Sequence, residues 1–317
     1  MNWFDAEEDL YNQALMRTEA CNKAIARVYL TVQREIADEL KDFYDTLDPT
    51  WSEAYQAQRL SEIFRSVNQK LEILTKTATE EIESAFLDQY RETFNTFNYN
   101  LSGYYAQPGA FPMLPFTMPD DSAVMSALNS KVGAYSFPDS MGYKQDYLQQ
   151  ALRESVAVSI AKGEGVNQLT ARLMENFQSG ISSYMATART EMLRAYSLAQ
   201  LESYKQAEEM GIEFSTPLWL GRNDGRERES HIALNNTYAK LNESDGKYYF
   251  HAGGCRGVSP RLFTGLKSAA MNINCRCRMI RVPFNIDITQ KFPTIETEGQ
   301  APGTGIPDYN KYLEMIS

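Results

Sequence analysis

The sequence lacks any run of apolar residues long enough to cross a bilayer, which takes about eighteen or more nearly uncharged positions. No membrane partner is therefore expected. The first ten residues have no basic leader segment and carry Asp5, Glu7, Glu8 and Asp9 instead, so synthesis and use in the cytoplasm are expected. Cysteine is scarce. Four thiols in 317 residues are too few for a disulfide framework, and cytoplasmic thiols stay reduced. Positive charge is also in deficit, 31 Lys and Arg against 41 Asp and Glu. The net charge of −10 argues against the whole chain coating nucleic acid, because such binding rests on phosphate neutralisation by Lys and Arg. There is no phosphate loop, nucleophile motif or paired carboxylate arrangement, which leaves a catalytic reading with little support.

What is present is unevenly distributed. Apolar residues make up 43% of the chain, enough for one good core or two modest ones, and the length favours two domains. Between Arg222 and Arg281 eleven Lys or Arg face five Asp or Glu, a local charge of +6 that leaves −16 elsewhere. An anionic partner would meet the protein there.

From Cys21 the apolar positions Ile25, Val28, Val32, Ile36, Leu40, Phe43 and Leu47 recur every three or four residues, the spacing of one helical stripe. Cys21 reads as a small core side chain within it. Asp48-Pro49 interrupts the pattern, which resumes as Leu60, Phe64, Val67, Leu71, Leu74, Ala78, Ile82 and Ala85. Two long helices meeting at a short break should pack as an antiparallel hairpin over residues 1–100. At 1.5 Å per residue, arms of roughly 35 to 45 residues would be about 50 to 70 Å long, so the hairpin is either part of a plain bundle or an arm reaching a neighbour.

Residues 101–121 hold four prolines and four aromatics without periodic spacing and read as an irregular segment that rests on another surface. Helices are expected at Ser122–Val132, Tyr143–Ile160, Asn167–Phe177 with Asn167 as N-cap, and Tyr184–Met210, closed by Gly211. These make up a helical part over residues 122–211. Short β-like runs, Ile212–Leu220 and Cys277–Phe284, enclose turn-rich sequence and mark a small α+β module over 212–284. Residues 285–317 read as an extended arm. The fold class is mostly α, with the long N-terminal hairpin and the small C-terminal module.

Both histidines, His231 and His251, and three cysteines, Cys255, Cys275 and Cys277, fall within 47 residues. Around them stand ARTE at Ala188–Glu191, Gly211, Trp219, DGRERESH at Asp224–His231 and NCRC at Asn274–Cys277. In this order the set resembles the phage minor head, or head morphogenesis, family related to the Mu F protein, over about residues 145–283. The resemblance departs at Leu234-Asn235-Asn236, where the family commonly has a Leu-Asp-Gly-like turn. It implies a virion protein that assembles the capsid near the portal, with the portal protein or the major capsid protein as partner.

Thiolates and neutral imidazole are the preferred ligands of structural zinc, and His231, Cys255, Cys275 and Cys277 would make a closed Cys3His set, with His251 as a substitute ligand. Reduced buried thiols, or a disulfide such as Cys255 to Cys275, are the alternatives. Arg189 and Glu191 on the helix, with Asp224, Arg226 and Arg228 on the turn, are suited to a charged cluster that orients the module; the alternative is a solvated face. Three functions follow. The first is a structural head protein acting in assembly and in DNA packaging or ejection. The second is a protein contacting packaged DNA through residues 222–281. The third is a nuclease- or transferase-like enzyme using Asp224, Arg228 and His231.

Overall fold

The structure, a computed structural model, describes residues 2–46, 53–105, 114–162, 164 and 166–284. The expected class is observed: long helices first, a small antiparallel β region last. The two leading helices are α1 (Trp3–Thr46) and α2 (Glu53–Tyr105). The stripe residues Cys21, Ile25, Val32, Ile36, Leu40 and Phe43 are buried along α1, as are Val67, Leu71, Leu74, Ala78 and Ile82 along α2. The Asp48-Pro49 break lies outside the described residues. So do residues 106–113 and the expected arm at 285–317.

The chain divides into two compact units. Residues 1–18, 85–134 and 190–317 form one, and residues 19–84 and 135–189 form the other. The linear divisions expected at 100, 121, 211 and 284 group the residues differently, because α1 and α2 each contribute to both units.

In the second unit Lys70 of α2 pairs with Glu39 of α1 at 2.9 Å, the contact expected of antiparallel neighbours. Packed with them are α4 (Phe137–Lys162) and the first half of α5 (Val166–Glu209). The two helices expected at 167–177 and 184–210 are one continuous α5, and it starts before Asn167. The reason lies at Gly180. A Cβ there would meet the Tyr29 hydroxyl and sit 2.7 Å from Leu148, so glycine admits neighbours against an unbroken helix. The cost of glycine in a helix, about 1 kcal/mol, is offset by that packing.

In the first unit Trp3 packs edge-on against Phe97 at 5.6 Å and Tyr104 at 5.2 Å, so the start of α1 meets the end of α2. Residues 101–105 finish α2, which shortens the irregular segment expected from residue 101. The helix expected at Ser122–Val132 is the shorter α3 (Asp121–Leu128), with Asp120 as its N-cap. In α5 every residue from Thr190 to Ser197 is buried, so this stretch is covered on all faces. Gly211 at φ 86 closes the helix, with Ile212 N–H donating to Ala207 and Gly211 N–H to Glu208.

The module follows. Strand β1 (Leu218–Leu220) pairs antiparallel with the last strand, β6 (Arg278–Ile280), in the register Trp219 to Met279. Between them lie α6 (Glu229–Ile232) and a four-stranded antiparallel meander: β2 (Lys240–Asn242), β3 (Lys247–Ala252), β4 (Cys255–Gly257) and β5 (Phe263–Thr264). The short α7 (Ser268–Asn272) leads back to β6. Fully buried Trp219 is the hub, with Phe250 at 5.2 Å, Phe263 at 5.8 Å and His231 at 5.6 Å, all edge-on. Where the family turn was expected to differ, Asn236 adopts φ 59 and the Asn235 side chain accepts the Gly221 amide at 2.7 Å. Asparagine is the non-glycine residue best suited to that backbone.

Candidate metal centre

α6 lays the His231 ring against Trp219, and the turn entering β6 brings Cys275 and Cys277 to its Nδ1 atom, at 3.6 and 3.5 Å. All three side chains are buried. Their ligand atoms lie within 4.8 Å of one another, so the cluster could hold a metal ion. The spacing fits one. Tetrahedral zinc with Zn–S near 2.3 Å and Zn–N near 2.0 Å places sulfur about 3.5 Å from nitrogen.

Burial alone would raise the Cys275 thiol. Hydrogen bonds from Cys277 and His231 and the nearby Arg261 guanidinium outweigh it, holding Cys275 well below the ordinary thiol range. The Cys277 thiol is pushed up, first by its hydrogen bond to the Cys275 sulfur and then by burial. A pair that already favours one thiolate is suited to soft-metal ligation.

The turn carrying the thiols is held at each backbone position. Asn274, at φ 57, donates its amide to Thr190 Oγ1 at 2.8 Å. Buried Arg261, itself at φ 69, donates to the carbonyls of Cys275 at 3.2 Å and Cys277 at 2.7 Å and to Ser197 Oγ at 2.8 Å. The Tyr11 hydroxyl donates to the Arg276 carbonyl at 2.5 Å, and Arg228 donates to the Ile273 carbonyl at 2.8 Å. The side chains beside the ligands are also engaged: Arg276 pairs with Asp224, and Arg278 pairs with Glu8. Strained left-handed residues persist only where neighbours over-determine them, and here they do.

Two expectations need correction. Cys255 is not part of the ligand cluster. It is buried at the start of β4, its sulfur 3.4 Å from where Gly265 would carry a Cβ, because the tight β3–β4 hairpin turns it beneath that loop. The substitute His251 is exposed on β3 beside Tyr249. All four cysteines are free, so Cys255 and Cys275 are not joined.

The charged residues also distribute differently from a single cluster. Glu191 bonds Arg194, one turn along the same helix, at 2.6 Å, and both are buried. Arg194 in turn donates to the carbonyls of Ala127 and Leu128 at the end of α3. Asp224 takes Arg276 as its main partner and the more exposed Arg226 at 3.4 Å. Partial burial alone would raise Asp224, but the Arg226 amide and the Arg276 guanidinium hold it below the ordinary carboxylate range. Arg189 falls in the other compact unit. Sequence reasoning passed over Thr190 and Arg276 although both lie inside quoted motifs. It had no signal for Arg194, Arg261, Ser197 or Tyr11.

Fold and site together define a mostly helical protein with a small β module whose NCRC turn is pinned beside a cluster that could hold a metal ion. Residues 150–280 match the family described as Phage Mu protein F like protein. Over 298 residues the chain is 22% identical to Minor head protein GP7 of Bacillus phage SPP1, covering 92% of this chain and 90% of that protein. No solved structure matches it significantly. Residues 150–280 are thus similar to the Mu F-like phage proteins, and the chain as a whole is similar to a phage minor head protein. Among the described residues no helix is long and apolar enough to cross a membrane.

Proposed function

We propose that the chain is a virion component that acts in capsid assembly near the portal, contacts the portal protein or the major capsid protein, and takes part in DNA packaging or ejection. The observation that carries this reading is the convergence of the family motifs on one rigid turn: Thr190 of ARTE, Asp224 and His231 of DGRERESH, and the whole of NCRC. A module oriented in this way is a contact platform. Zinc is the ion we assign to the triad, because two thiolates and a neutral imidazole are its preferred donors.

The DNA reading rests on the +6 segment, yet much of that charge is engaged within the protein. Arg261 and Arg228 serve carbonyls, Arg276 and Arg278 serve Asp224 and Glu8, and Arg281 pairs with Glu208 at 2.7 Å. For the enzyme reading, Asp224, Arg228 and His231 each have a structural partner, and His231 is buried against the sulfurs. An asymmetric reconstruction of assembled heads tests the proposal. Density for this chain beside the portal supports it, and heads that lack the chain overturn it.

A further inference from the structure

We infer that a thiophilic divalent ion held by Cys275, Cys277 and His231 Nδ1, without Cys255, is the lock that seats the NCRC turn and with it the contact between the module and the start of α1. The inference rests on the zinc reading above and adds the ligand set and what loading controls. Three protein donors leave one tetrahedral position, which falls to a solvent oxygen, since no further His, Cys, Asp or Glu joins the cluster among the described residues. In the loaded site both sulfurs are thiolates, any thiol proton still held passes to solvent, and the site is neutral with no change of oxidation state.

Coupling follows from where the ligands stand. Cys275 and Cys277 flank Arg276, whose carbonyl accepts from the Tyr11 hydroxyl of α1 and whose guanidinium donates to Asp224. The next residue, Arg278, reaches Glu8 and the Glu7 carbonyl at 3.4 Å, and the Arg281 carbonyl accepts the Trp3 indole N–H at 2.8 Å. Six residues of chain, 276–281, therefore carry four ties to the first turns of α1. His231 sits on a different element, so an ion bridging it to both sulfurs closes a loop from α6 to β6 and replaces weak thiol contacts there, alongside the Arg228 and Asp224 ties to the same turn. Ligand bonds replace contacts that carry little free energy in a thiol.

The test uses the full chain prepared under reducing conditions. Elemental analysis should give one zinc per chain, retained in Cys255→Ser and lost in Cys275→Ser and Cys277→Ser. Hydrogen exchange on wild-type protein before and after chelation reads the coupling, with no substitution required. Amides of residues 273–281 and 4–11 should exchange at least tenfold faster once zinc is removed, while those of α4 stay unchanged. Zinc-free wild-type protein would overturn both the metal reading and this one. Zinc lost from Cys255→Ser would overturn the ligand set. Unchanged exchange in protein stripped of its zinc would leave the metal reading standing and overturn the lock.

Discussion

Thr190 accepts the backbone amide of Asn274 across 84 residues of sequence, at 2.8 Å. That one contact ties the ARTE helix to the NCRC turn. Thr190→Val keeps shape and removes the acceptor of a part-buried hydrogen bond, a loss of about 0.5 to 1.5 kcal/mol. The melting temperature should fall measurably, and Thr190→Ser should recover most of it. A Thr190→Val protein as stable as wild type would contradict the contact.

Asp224 and Arg276 form a weaker tie, because their side chains remain 24% and 20% exposed. Partly solvated pairs are worth roughly 0.2 to 1 kcal/mol, so a double-mutant cycle between Asp224→Ala and Arg276→Ala should give a coupling within that range. Since the folded pKa of Asp224 is lowered, this stabilisation is present above the ordinary carboxylate pKa and is lost as pH falls through the lowered value. A coupling that is unchanged under strongly acidic conditions would count against the pair.

Glu7 titrates in the opposite sense. Burial, opposed by the Arg278 charge and the Gln200 hydrogen bond, pushes its carboxyl from 4.5 up to about 8. Between those values the folded state keeps a proton that the unfolded chain has released, so stability should fall as pH rises from 4.5 to about 8 and then level off. Glu7→Gln should flatten this part of the profile of melting temperature against pH. An equal slope in wild type and variant would remove Glu7 as its cause.

The Glu191–Arg194 pair lies in the core and caps α3. Removing one partner of a buried pair strands the other charge at about 3 to 5 kcal/mol, so Arg194→Ala should be among the most destabilising single changes. The double change Glu191→Gln with Arg194→Met should cost less than the sum of the two single ones. Additive losses would show that the two residues do not act as a pair.

The helical hairpin was legible because its stripe residues repeat with helical spacing and most are buried, from Cys21 to Phe43 with Val28 only half-buried, and from Val67 to Ile82. The continuity of α5 was hidden. Gly180 looks like a helix breaker until Tyr29 and Leu148 occupy the space that it leaves. At the site, His231, Cys275 and Cys277 were visible as residue types, while the exclusion of Cys255 depends on a hairpin turn that spacing does not encode. Arg261 was invisible. Its role comes from a left-handed backbone and from carbonyls 14 and 16 residues away, and neither leaves a pattern in sequence.

The central claim is that this chain is a structural part of the phage head recruited near the portal. Quantitative mass spectrometry of heads purified from infections with and without a functional portal gene tests it most directly. The expected result is a small, fixed number of copies per head when the portal is present and strong depletion when it is absent. Heads that contain none of this chain in either case would contradict the claim.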